Sequence, residues 1–143
     1  AVNYSISKKS TIKITTSNKK LKKFLEKIRK LNKKVFSLID RDGIVFEKIM
    51  QAKNFESRKK LLRESEKIMQ AIAESAEELF RIAEVLKTDI KNSIKSDFYI
   101  GMKLIFVSLY GSVENLEANT LLFKSDNKSL AKIKKTLKRW EKF

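Results

Sequence analysis

The chain has 143 residues and no cysteine, histidine or proline. Thiol nucleophiles, disulfides, histidine bases and zinc fingers are therefore excluded, and any chemistry falls to carboxylates, lysines, tyrosines and serines. Only three glycines are present, which argues against sandwiches, barrels and glycine-rich phosphate loops and for an all-α chain. The net charge of +16 is unevenly placed: residues 1–60 carry 18 Lys and Arg against 5 Asp and Glu, residues 61–123 carry 7 against 10, and residues 124–143 carry 8 against 2. Such an imbalance means either an anionic partner or lysine-rich faces that are simply solvated.

Residues 1–17 lack a clean period, with Ile12 and Ile14 alternating with polar residues, and are expected to be irregular or the frayed end of a helix. The remainder, 18–143, is expected to be a helical bundle, the whole chain forming one domain. Ser17 or Asn18 can cap a first long helix. In it, Leu21, Phe24, Leu25, Ile28, Leu31, Val35, Leu38, Ile39, Phe46 and Ile49 recur at spacings of three and four, while Lys19, Lys23, Lys27, Lys30 and Lys34 line another face. Asp40, Asp42 and Gly43 interrupt this pattern, and two acids two residues apart do not face one direction on a helix.

A turn is predicted over residues 53–57, with Ser57 as a candidate cap. The run Leu61, Leu62, Ile68, Met69, Ile72, Ala76, Leu79, Phe80, Ala83 and Leu86 then predicts a long helix pressed against neighbours. Glu74, Glu77, Glu78 and Glu84 have the spacing of a carboxylate-bridged di-iron bundle, but its Glu-x-x-His pairs need a histidine the chain lacks, so no metal site is expected. Residues 88–95 form a polar connector. Ser96 to Phe123 is apolar on nearly every side, the pattern of a helix buried in the middle of others. We therefore expect an up-and-down bundle around a central helix over about residues 97–123. Ser96 and Asp97 mark its start. A narrow stripe of Gly101, Ser108, Ser112, Asn115 and Asn119 runs down it, read as a surface for close helix packing. After a turn at 124–127, Leu130, Ile133, Leu137 and Trp140 predict a short amphipathic helix with lysines opposite, Trp140 sitting at a core edge or, alternatively, stacking on a base. The longest apolar run is too short to span a bilayer and no secretory signal is visible, so a cytoplasmic protein without membrane association is expected.

Asp40, Asp42 and Phe46, then Ser96-Asp97 opening the apolar helix, then Asn115 and Asn119 near its end, stand in an order and spacing that resemble the formiminotransferase-cyclodeaminase and methenyltetrahydrofolate cyclohydrolase family. Residues 1–10, with Lys8 and Lys9, look like the end of that family's first conserved helix and its lysine-containing turn. The resemblance implies an all-helical homodimer acting on a one-carbon tetrahydrofolate, with no separate cofactor. It either closes the methenyl bridge with loss of ammonia or hydrolyses that bridge to the 10-formyl form. On this reading Asp97 is the catalytic carboxylate, Ser96 helps bind substrate, and Lys8 and Lys9 meet the folate carboxylates or a polyglutamate tail. The family's proline- and glycine-rich segment ahead of the first helix has no counterpart here, since no proline or glycine precedes Gly43; an inactive or incomplete site is the corollary. For Asp97, a helix N-cap is the plainer alternative. For the chain as a whole, the alternative is a non-catalytic basic module that binds nucleic acid or another polyanion, with a steep salt dependence.

Overall fold

The computed structural model describes residues 16–123 and 128–141. They form four α-helices: α1 (Thr16–Gln51), α2 (Phe55–Leu86), α3 (Lys95–Phe123) and α4 (Lys128–Trp140), with two 3₁₀ turns, Lys87–Asp89 and Asn92–Ile94, between α2 and α3. Among the described residues there is no strand, and no helix is long and apolar enough to cross a membrane. The fold is an all-α bundle. Lys8, Lys9 and the rest of residues 1–15 lie outside the described residues.

α1 runs unbroken through Asp40–Gly43, where the sequence pattern is interrupted. The reason is visible on the neighbouring helix: Asp42 Oδ1 accepts a hydrogen bond from Ser65 Oγ at 3.1 Å, so an acid on the packed face is given a partner instead of ending the helix. A three-residue break, Ala52 to Asn54, follows α1, and α2 is capped by Asn54, whose side chain accepts from Ser57 N at 2.8 Å. Ser57, predicted as the cap, is instead the residue whose amide is capped.

α1 and α2 are antiparallel, as the pairs Lys27–Glu78 and Arg41–Glu64 require. α3 runs back along α2, with Asn115 Nδ2 at 3.7 Å from Met69 Sδ. α4 returns antiparallel to α3, pairing Lys134 with Glu117, and lays Trp140 on Phe80 with ring centroids 4.7 Å apart and planes 11° from parallel. Both rings are almost fully buried, Phe80 at 1% and Trp140 at 2% exposure. Trp140 is therefore a core residue, and its surface is not available to stack on a base.

The central helix of the bundle is α2, not α3. α1, α3 and α4 all pack on α2, and it buries ten of its side chains. α3 buries Met102, Leu109, Ser112, Val113 and Leu116 on one side and leaves Ile100, Leu104, Val107, Tyr110 and Leu121 exposed on the other, Leu104 at 65% and Leu121 at 80%. The expectation of a buried central helix over residues 97–123 fails because, among the described residues, only α2, α4 and the preceding 3₁₀ turn pack on α3, too few neighbours to cover a helix that is apolar all round. Among the described residues nothing covers its outward side.

Candidate functional site

α3 begins at Lys95, directly after the 3₁₀ turn Asn92–Ile94, in which Ile94 N donates to Lys91 O at 3.1 Å. Asp97 therefore lies inside the first helical turn, at the positive end of the helix dipole. Ser96 and Asp97 are both exposed, and among the described residues Asp97 makes no hydrogen bond or ion pair. It is not engaged as a cap, so the carboxylate stands free at a helix start with all its acceptor capacity unused.

Successive residues of a helix are rotated by about 100°, so Asp97 shares one side of α3 with Gly101, Leu104, Ser108 and Asn115. This is the stripe that the sequence suggested would pack against another helix. Among the described residues it does so only at its edge: Ser108 and Asn115 are exposed, Asn115 reaches Met69 of α2, and the buried hydroxyl of Ser112 donates back to the Ser108 carbonyl at 2.9 Å. The stripe instead borders an open trough. α1 and α3 both lie on α2 but do not pack on each other. Lys27 and Arg41 of α1 reach the outer flank of α2. Leu25, Phe36, Ile39, Phe46 and Met50, about half a turn further round α1, therefore look across the trough toward the Asp97 side of α3. All five are exposed, Phe36 at 61%.

The glycines fall on the same open surfaces. Gly43 sits in the α1 stripe, Gly101 in the α3 stripe and Gly111 beside it, and a Cβ at any of the three would meet nothing within 4 Å. A glycine inside a helix costs about 1 kcal/mol relative to alanine, and packing within this chain gives no reason for it.

A second concavity, of 220 Å³, lies on the opposite flank of α3, between α2 and α4. It is lined by Tyr99, Met102, Lys103, Phe106, Phe80, Trp140 and Glu141. The α3 residues that line it are about half a turn from Asp97, so Asp97 and this aromatic pocket do not form one site within a single chain. No local residue pattern signals the pocket, because it depends on Phe80 and Trp140 meeting from 60 residues apart. Asn115 is separated from Asp97 by 18 residues of helix, about 27 Å, and the two do not share a small ligand within one chain. Of the four α2 glutamates singled out in the sequence, three are in ion pairs, Glu77 with Arg81, Glu78 with Lys27 and Glu84 with Arg139, and Glu74 accepts from Gln70 Nε2 at 3.0 Å. Among the described residues no group of three is placed to hold a metal ion.

Compared with known families, residues 1–139 match the model of one, described as formiminotransferase-cyclodeaminase. No curated protein and no solved structure matches the chain.

Proposed function

Since the chain belongs to the formiminotransferase-cyclodeaminase family, we propose that it acts on a one-carbon tetrahydrofolate, as a methenyltetrahydrofolate cyclohydrolase or a formiminotetrahydrofolate cyclodeaminase. Asp97 is the acid and base of that reaction. The observation that carries this reading is the exposed carboxylate of Asp97 in the first turn of α3, unpaired among the described residues and within the span that matches the family.

In the hydrolytic direction, water oxygen bonds to the methenyl carbon of the cationic amidinium while Asp97 takes one of its protons, giving a neutral carbinolamine. The bond from that carbon to N5 then breaks. Asp97 returns its proton to N5, and the remaining hydroxyl proton leaves to solvent as the 10-formyl carbonyl forms. An ionised carboxylate beside the amidinium also lowers the energy of the cation. In the deaminating direction N10 attacks the formimino carbon, Asp97 relays the N10 proton to the departing nitrogen, and ammonia leaves. Ser96, next to Asp97 and exposed, supplies a hydroxyl to the bound substrate, and Lys8 and Lys9 meet its carboxylates or polyglutamate tail.

We further propose that the working unit is a homodimer in which a second copy covers the trough. The exposed apolar faces of α1 and α3, and glycines that leave room for close backbone approach, support this reading. A second copy would also bring further side chains to Asp97, which has no partner among the described residues of its own chain.

One titration tests the chemistry in both directions. Loss of the methenyl chromophore identifies the cyclohydrolase, and its appearance from the formimino substrate, with ammonia, the cyclodeaminase. Asp97→Asn is expected to slow either by about 10²–10⁴-fold with helicity unchanged. Full activity in this variant would remove Asp97 from the mechanism, and absence of both turnover and folate binding would remove the folate reading itself. Sedimentation equilibrium tests the dimer: Leu104→Lys combined with Phe36→Lys is expected to shift it to monomer, and a wild-type chain that is already monomeric overturns the proposal.

A further inference from the structure

The outer flank of the α1–α2 pair carries a groove that the folate reading does not use. It has a volume of 480 Å³ and is lined by Arg41 of α1 with Lys59, Lys60, Arg63 and Lys67 of α2, against two carboxylates, Glu56 and Glu64. Glu64 is consumed locally: Arg41 Nη2 and Nε donate to its Oε1 at 2.6 and 3.0 Å. The cations around it, Arg41, Lys48 and Lys60, hold its carboxyl below the ordinary value of 4.5, the Arg41 hydrogen bond contributing most.

The other cations of the groove are not held in close ion pairs. Among the described residues Lys60, Arg63 and Lys67 make no ion pair or hydrogen bond, whereas Lys27, Arg81, Lys134 and Arg139 elsewhere on the bundle are each matched to a glutamate. Lys59, Arg63 and Lys67 stand one helical turn apart, about 6 Å from one to the next along α2, so the charge forms a row. At one end of the row, Phe55 is 65% exposed, and Lys59 Nζ lies 6.0 Å from its ring centroid.

A groove of unpaired cations in a row, ending at an exposed aromatic ring, has the two elements that hold a single-stranded nucleic acid. The cations track the phosphodiester chain, and the ring face takes an unpaired base. We propose that this groove is a docking site for single-stranded nucleic acid. A duplex is less suited to it, because its bases are already stacked and the flank offers no element that projects into a major groove. The site is distinct from Asp97. With Asn115 level with Met69 on antiparallel helices, Asp97 is level with the far end of α2, about 35 Å from Glu64 along the bundle. The proposal therefore stands or falls independently of the folate chemistry.

The test uses the full chain and an end-labelled oligouridylate of about twelve nucleotides, with affinity followed over a salt series. The wild-type chain is expected to bind with log affinity falling linearly against log salt. Reversing the row in one variant, Lys60→Glu with Arg63→Glu and Lys67→Glu, is expected to weaken binding by tenfold or more and to flatten the salt slope by about 2. A control with the same change of net charge, Lys22→Glu with Arg29→Glu and Lys33→Glu on the opposite side of α1, is expected to stay within about twofold of wild type once salt is near physiological. Phe55→Ala is expected to weaken RNA severalfold and leave binding of inorganic polyphosphate unchanged. Equal loss in the two triple variants would mean that only the net charge acts. A Phe55→Ala variant that binds RNA as wild type does would reduce the groove to a general anion sink. No binding at near-physiological salt would mean a solvated surface. Each of these three results overturns the proposal.

Discussion

α1 and α2 are near equals in the sequence, helices of 36 and 32 residues with a strong apolar stripe and many charges, yet they are held very differently. α2 is surrounded by three helices and buries ten side chains; among the described residues α1 leans on α2 alone and buries only Leu31 and Val45. The periodicity of a helix states which side is apolar and not how many neighbours will cover it. α1 has more apolar surface than α2 can hide, and what remains lies along the trough.

The sharpest way to break this contrast is truncation in the two helices. Phe80→Ala removes a ring buried against Trp140 and is expected to cost about 3–5 kcal/mol in urea denaturation followed by helicity. Phe36→Ala, at 61% exposure, is expected to cost under about 0.5 kcal/mol in dilute solution. The cost should grow with protein concentration if a second copy covers the ring, since dimerisation adds to apparent stability. Equal losses at all concentrations would mean that α1 is as firmly packed as α2.

The joint between the two helices comes next. Asn54→Ala deletes the cap of α2 and is expected to cost about 0.5–2 kcal/mol, while Ser57→Ala, which keeps the capped amide, should cost much less. Gly43→Ala has a sign that depends on the partner. With nothing within 4 Å of the added methyl, the isolated chain should gain about 0.5–1 kcal/mol, whereas a dimer packed closely at this point should be weakened. Measuring the melting temperature and the dimer dissociation constant of one variant separates the two.

The smallest effect is electrostatic. The carboxyl of Glu64 is held below its ordinary 4.5, chiefly by the hydrogen bond from Arg41. A depressed value means that this pair's contribution is complete above pH 4.5 and is lost as pH falls through the lowered value. Both partners are largely exposed, so the slope of stability against pH should be shallow, and Arg41→Ala or added salt should flatten it further.

Much of the secondary structure was legible in the residues. The four apolar positions of α4, the small-residue seam of α2 and the polar connector around 88–95 all read correctly, because each is a local pattern at helical spacing. Three features were not legible. The continuity of α1 through Gly43 goes with a hydrogen bond that Ser65, 23 residues away, donates to Asp42. The choice of Asn54 over Ser57 as cap was a matter of three residues at a helix boundary, where patterns are weakest. The exposed side of α3 follows from how few of the described helices pack on it, which no window of residues reports. For the candidate site, the place of Asp97 at the start of α3 could be read from the sequence, but not that the trough and the aromatic pocket lie on opposite flanks of that helix. That separation is set by the way α1 and α4 dock on either side.

The stack of Trp140 on Phe80 has one more consequence. Trp140 is the only tryptophan in the chain and sits in the last turn of α4, sealed against α2. The intrinsic emission of the protein is therefore a gauge of a single joint: it shifts to the red when α4 lifts from α2 and is silent about whatever α1 does. Set beside the helicity of the whole chain, it would show which end of the bundle opens first.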